Sequence, residues 1–208
     1  MTALSRWDGY VLCLVIFCSG CISVERSYPD KRYFVIEMGE VPKAPKTLSA
    51  GDHGVLLVSD LHISPRYAGT EFVYRTSETR YESDFYNQFL SPPATMISEE
   101  LRKGLAEGTV FKYVIGPSNE LTANYVLEGS INALYGDFRS LNAPAAVLGI
   151  EVFLRSQDPA KPGILLHKSY RKSVAIDQRT PEALTKGWNQ ALQQTVAMLL
   201  ADLKKAEL

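Results

Sequence analysis

The side chains of this chain that are most able to do chemistry are the thiols of its three cysteines, Cys13, Cys18 and Cys21. All three lie in one short stretch, VLCLVIFCSGC. Thiols this close together can hold a metal ion, form a disulfide or carry a lipid. A zinc site needs a fourth Cys or His at similar spacing, and the first histidine of the chain is His53. We therefore expect neither a metal site nor a cofactor in this stretch.

The same stretch has the pattern of a cleaved signal. Its apolar run from Tyr10 to Cys18 is about half as long as the roughly 20 residues of a membrane-spanning helix, and it matches the core of a secretory signal. The small residues Ser19 and Gly20 directly precede Cys21, which is the pattern that a lipoprotein signal peptidase recognises. We predict a lipoprotein signal peptide over residues 1–20, with Ser19 and Gly20 as recognition residues and Cys21 as the lipidated residue. An ordinary secretion signal is the alternative.

Lipidation at Cys21 would leave a mature chain without a free thiol, because Cys13 and Cys18 would be removed with the signal. Such a domain folds without disulfide formation. The next residue, Ile22, is not the Asp that usually retains proteobacterial lipoproteins at the inner membrane. We therefore predict an outer-membrane anchor, made stable by several acyl chains such as palmitate, with the domain facing the periplasm.

Few other residues point to catalysis. None of the histidines, His53, His62 and His167, has the spacing of a metal ligand to a partner. The chain contains no nucleophile elbow, phosphate-binding loop or dinucleotide fingerprint. The formal net charge of −1 does not favour nucleic acid as a partner. We expect a protein that is not an enzyme, although a triad whose members are distant along the chain stays open.

Aromatic residues cluster between Tyr67 and Phe89. We select Tyr67, Tyr74 and Phe85 as candidates for a surface that contacts a partner or a lipid. Packing in the core and at a sheet edge is the favoured alternative for this cluster.

The elements that would position these residues begin after a polar tether, residues 21–32. One domain is predicted over residues 33–208. Alternation and turn residues predict extended segments at 33–36, 54–59, 70–76, 81–89, 110–114, 121–138, 145–155 and 164–176, the last three as an antiparallel meander.

Two helices are predicted in addition. The first follows Ser91 as its N-cap, carries Ile97, Leu101 and Leu105 on its apolar face and stops at Gly108. The second starts at Thr180 and Pro181 and continues for about 25 residues with the period of an amphipathic helix. Its apolar positions are Leu184, Trp188, Leu192, Thr195, Leu199 and Leu203. The order predicts an α+β fold in which a mixed or mostly antiparallel sheet carries two packed helices.

The order of several motifs resembles that of a known family. The motifs are Tyr33-Phe34-Val35-Ile36, Pro65-Arg66-Tyr67-Ala68, Val73-Tyr74-Arg75, Tyr125-Val126-Leu127-Glu128-Gly129 and the helix with Trp188. Together with the lipidation motif they resemble the ABC-type transport auxiliary lipoproteins, the PqiC-like family, over nearly the whole mature chain.

This resemblance implies a non-enzymatic, outer-membrane-anchored auxiliary component. Its partners would be an MCE-domain protein and an ABC permease and ATPase that move lipids or other apolar molecules across the Gram-negative envelope. Association with copies of the same chain stays open. The alternatives are a structural or assembly lipoprotein of the envelope and a periplasmic hydrolase.

Overall fold

Three long antiparallel strands form the centre of the fold: β7 (Tyr125–Asp137), β8 (Ala145–Ser156) and β9 (Gly163–Ala175). β8 pairs with β7 on one side and with β9 on the other along almost its whole length. The central strand β8 consists almost entirely of apolar residues, and most of its side chains are buried. The predicted meander is confirmed.

The computed structural model describes residues 30–39, 53–206 and 208. The predicted signal peptide with Ser19 and Gly20, the lipidation residue Cys21 and most of the predicted tether lie outside the described residues. Residues 31–208 form one compact unit. None of the helices in the described part is long and apolar enough to cross a membrane.

Shorter strands complete the sheet on the side of β7 that does not pair with β8. They are β1 (Arg32–Phe34), β2 (Val55–Val58), β3 (His62–Ile63), β4 (Glu71–Arg75), β5 (Tyr81–Phe89) and β6 (Tyr113–Ile115). β2, β3 and β4 each lie parallel to β7. β6 continues the sheet beyond β2, and β5 followed by β1 continues it beyond β4. Within the described residues the sheet is therefore mixed, which confirms the predicted α+β class.

In the described part of the chain, two α-helices pack on this sheet: α1 (Pro93–Glu107) and α2 (Pro181–Leu203). α2 begins as predicted, because the Thr180 hydroxyl accepts a hydrogen bond from the Ala183 N–H at 3.2 Å and Pro181 takes the first helical position. All six predicted apolar positions of α2 are buried. A short 3-10 turn, Pro65–Tyr67, lies between β3 and β4.

The start of α1 differs from the prediction. Pro92, not Ser91, takes the N-cap position, and no side chain caps the helix. Pro93 at the first helical position has no N–H that would need a partner. Gly108 ends the helix in a right-handed conformation, and a Cβ there would collide with Leu200 of α2. Gly108 therefore allows a close approach of Leu200 and does not form the left-handed turn that often ends a helix.

The strand predicted at 110–114 is also displaced. Val110 and Phe111 are buried in the connection after α1, and the strand itself is Tyr113–Ile115. Apolar residues here fill the core without joining the sheet, which a sequence pattern does not distinguish from a strand.

Candidate functional site

The two faces of the sheet have different roles. A Cβ at Gly136 would contact Leu184 of α2, and the hydroxyl of Tyr170 donates to Asp202 of α2 at 2.8 Å, so both residues face the helices. Successive side chains of a strand point to opposite faces. Tyr135 and Arg171, their neighbours in sequence, therefore lie on the face opposite α2, here called the open face.

Three tyrosines contact one another on the open face. The ring of Tyr67 stacks on Tyr135 with 6.0 Å between centroids, and Tyr81 meets Tyr135 edge-on at 5.8 Å. Tyr67 reaches this position from the 3-10 turn, whereas Tyr81 starts β5. The three rings thus join parts of the chain that are far apart in sequence.

Three guanidinium groups surround these rings. Arg171 donates to the Tyr135 hydroxyl at 2.8 Å. Arg66 lies 5.0 Å and Arg75 lies 5.7 Å from the centre of the Tyr81 ring, within the range of cation–π contacts. Together the six residues Arg66, Tyr67, Arg75, Tyr81, Tyr135 and Arg171 are called the arginine–tyrosine cluster.

The cluster carries unneutralised positive charge. Arg75 is paired with Glu78 at 3.1 Å, but among the described residues neither Arg66 nor Arg171 forms an ion pair. Burial raises the pKa of Tyr67, so its phenol stays neutral, and hydrogen bonding to Tyr67 raises the pKa of Arg66. The cluster can therefore attract an acidic group.

Tyr67 offers little exposed surface of its own, and its contact with a partner or lipid stays a prediction. Only 4% of Tyr67 is exposed, because the 3-10 turn holds its ring against Tyr135. Tyr74 is also mainly structural: it stacks on Phe138 at 5.1 Å and donates to Asp84 at 2.6 Å. Phe85 is exposed over 63% of its surface, as a contact residue must be. Its contact with a partner or lipid stays a prediction.

Phe85 belongs to an apolar surface at the β1 edge of the sheet. Phe34 and Phe89 point inward onto Phe72 and Trp188. Tyr33 and Val35 on either side of Phe34, and Leu90 after Phe89, are instead exposed. These three residues and the exposed Phe85 are together called the edge patch.

Phe85 lies in a β-bulge of β5. The register of β4 and β5 shifts after Glu71, so that Phe72 pairs with Asp84. The Asp84 carboxylate accepts hydrogen bonds from the backbone N–H groups of Tyr86 and Asn87 at 2.9 and 3.1 Å. One side chain, that of Asp84, thus holds the bulge, and residues 85–87 have no partner in β4.

Sequence reasoning found only Phe85 of the edge patch. Tyr33 and Val35 lie in a short apolar run, and Leu90 follows the end of an aromatic-rich segment. The alternation in Tyr33-Phe34-Val35 indicates that Tyr33 and Val35 share one face of the strand. It does not show which of the two faces is covered.

The histidines do not come together in a catalytic arrangement. His62 is in β3, and His167 is in β9, where it stacks on Phe153 at 4.1 Å and lies 2.8 Å from Glu151. His53 lies 6.5 Å from the Phe111 ring in the loop before β2. Over residues 30–39 and 53–206, no three His, Cys, Asp or Glu side chains are close enough to hold a metal ion.

Comparisons with known proteins identify the fold through structure alone. No family model matches the chain, and no curated protein matches it. Protein XCC0632 from Xanthomonas campestris, described by the family model DUF330, matches with a TM-score of 0.62 and 13% identity over 82% of this chain and 91% of its own. An uncharacterized protein matches with a TM-score of 0.65 and 16% identity over 84% of this chain and 99% of its own.

At these identities the similarity concerns the fold. It agrees with the fold that the sequence resemblance implied. The chain therefore shares the fold of the DUF330 protein XCC0632.

Proposed function

We propose that this protein is a lipoprotein that Cys21 anchors in the outer membrane, facing the periplasm. It acts there as a non-enzymatic auxiliary component of an MCE/ABC-type transporter of lipids or other apolar molecules. The observation that carries the proposal is the Ser19-Gly20-Cys21 motif, only eleven positions before the first strand at Arg32. The PqiC-like motifs and the fold shared with a DUF330 protein support it.

The physical requirement of such a system is a shielded route, because apolar cargo is insoluble in the aqueous periplasm. A domain on a lipid anchor can hold the far end of that route at the outer membrane. It needs a surface for a protein partner and no catalytic centre.

The arginine–tyrosine cluster is the surface that we assign to the partner. Aromatic residues and arginine are enriched in the cores of protein interfaces. Arg66 and Arg171, which form no ion pair within the part of the chain that the structure describes, suit an acidic surface on the MCE-domain protein.

The anchor is tested by Cys21→Ser in the full-length protein. We expect this variant to lose labelling by a palmitate analogue and to disappear from the outer-membrane fraction, because the acylated thiol is absent. Cys13→Ser is the matched control, since Cys13 is removed with the signal, and it should be labelled and localised like the wild type. Labelling that survives Cys21→Ser would contradict the proposal.

The partners are tested by purifying the tagged, lipidated protein from detergent-solubilised membranes. We expect an MCE-domain protein to co-purify, together with its permease and ATPase. Retention of the anchor without any of these partners would favour a structural envelope lipoprotein instead.

A further inference from the structure

We propose that the edge patch, Tyr33, Val35, Phe85 and Leu90, inserts into the headgroup region of the same bilayer that holds Cys21. This inference rests on the proposed lipid anchor and adds a second, non-covalent contact between the domain and the membrane. The contact would orient the domain, so that β1 faces the lipid and the opposite edge strand, β9, faces away.

The chemistry of the patch suits a membrane interface. Phe85 and Leu90 are 63% and 65% exposed, and Tyr33 adds a ring with a polar hydroxyl. Tyrosine is enriched at the boundary between lipid and water because its ring is apolar and its hydroxyl is polar. The ammonium of Lys31 lies over the Phe85 ring, 4.2 Å from its centre, and a cation beside an exposed apolar side chain suits the lipid phosphates.

The edge patch is preformed in the folded domain, without contact with a membrane. Pairing of Phe34 with Phe89 places Val35 and Leu90 side by side, and the Leu90 N–H donates to the Phe34 carbonyl at 2.8 Å. The exposed Phe85 lies in the bulge that Asp84 holds. A preformed contact surface loses little conformational entropy on binding.

The position of the lipid anchor indicates that the edge patch contacts the bilayer. Lys31, which lies against Phe85, follows Cys21 by ten positions, so the chain geometry limits their separation to about 35 Å. The edge patch is thus at the point where the lipid-bearing segment enters the domain. Because the segment between the anchor and the domain is short, the effective concentration of the bilayer at the edge patch is high. Even a weak apolar contact is then mostly formed.

The experiment measures immersion depth in the lipidated full-length protein. After processing, the mature chain has no free thiol, so Leu90→Cys and Ile164→Cys each provide one position for a nitroxide label. Ile164 is the matched control, because it is 60% exposed and lies on β9. Each labelled protein is reconstituted into vesicles of phosphatidylethanolamine and phosphatidylglycerol, and collisions with oxygen and with a water-soluble nickel chelate are compared.

We expect the label at position 90 to be accessible to oxygen and protected from nickel, while the label at position 164 is accessible to nickel. Adding Phe85→Ser to Leu90→Cys should weaken this insertion about tenfold, since one buried aromatic side chain is lost. Equal nickel access at both positions, in protein that floats with the vesicles, would overturn the insertion and leave the anchor intact.

Two other outcomes would also overturn the inference. Protein that does not float with the vesicles contradicts the Cys21 anchor itself. A label at position 90 that becomes immobile in detergent as protein concentration rises would show that a second copy of the chain covers the patch.

Discussion

Asp84 is a single residue that determines the shape of a whole surface. Its carboxylate accepts hydrogen bonds from Tyr74, from the Asn87 side chain and from two backbone N–H groups. Burial alone would raise the pKa of Asp84, but these hydrogen bonds outweigh burial and lower it. The charged form is therefore the one that holds the bulge in which Phe85 lies.

Removal of one of these donors tests the role of Asp84. We expect Tyr74→Phe to lower the free energy of unfolding at neutral pH by about 1–3 kcal/mol, because a partly buried carboxylate loses a hydrogen bond. A lowered folded-state pKa stabilises the protein above the unfolded pKa of about 3.9, and this contribution is lost as the pH falls through the folded pKa. Urea unfolding should thus show a difference that shrinks below about pH 4.

Glu128→Gln is the control for this experiment. Glu128 pairs with Arg155 at 2.7 Å, but both side chains are more than 40% exposed. Loss of such a surface pair should change stability by less than about 1 kcal/mol. A Tyr74→Phe effect that stays constant after Asp84 is protonated would contradict the charged hydrogen bond.

At the scale of elements, Ser98 connects α1 to the sheet. Its fully buried hydroxyl accepts from the Leu61 N–H at 2.9 Å and donates to the Ala94 carbonyl at 2.7 Å. Leu61 is the residue before β3, so this contact sets where the chain passes beneath α1. A serine in a helix interior is unfavourable by propensity alone, and here it serves a contact between elements.

We expect Ser98→Ala to lower the free energy of unfolding by about 1–3 kcal/mol, because the buried N–H of Leu61 loses its partner. Thr195→Val is the matched control. Thr195 is equally buried, but its hydroxyl donates only to the Ala191 carbonyl of its own helix, at 2.9 Å. Chemical unfolding of both variants should show the larger loss for Ser98→Ala, and equal losses would count against this role of Ser98.

At the scale of the molecule, the two faces of the sheet have different roles: one packs the core that stabilises the fold, and the other carries the residues that we assign to binding. The helix-covered face holds the aromatic group of Phe72, Phe89 and Trp188, whose ring centres lie 4.6 to 5.5 Å apart. The open face holds the arginine–tyrosine cluster, in which Tyr67 and Tyr135 are buried and Arg66 and Arg171 form no ion pair among the described residues. Changes of charge on the open face should therefore alter binding more than folding.

We expect Arg66→Gln and Arg171→Gln each to reduce the amount of MCE-domain partner that co-purifies by about tenfold, as for a central interface arginine. The control is Arg155→Gln, which removes the same charge from an arginine already paired with Glu128. It should leave co-purification unchanged. Thermal unfolding of all three variants should be nearly that of the wild type, and equal partner loss in the control would exclude a specific role of the cluster.

Much of the fold was predictable because its signals are local. The cap at Thr180, the period of α2 and the alternation of the meander arise from neighbours within a few residues in the chain. The start of α1 was predicted less well, because two prolines follow Ser91 and either position could begin the helix. Phe111 shows the same limit: an apolar residue can be buried in a connection as well as in a strand.

The sequence alone determined the order of elements and the motif at Cys21, since both depend on residues that are adjacent in the chain. Only the tertiary structure decided which face of each strand is covered. Tyr33 and Phe34 are both aromatic, yet pairing of β1 with β5 packs the partly buried Phe34 against Phe72 and leaves Tyr33 exposed. Tyr67 is buried because Tyr135, 68 positions later, stacks on it. Such contacts depend on long-range strand register, and a shift by one residue would exchange the two faces.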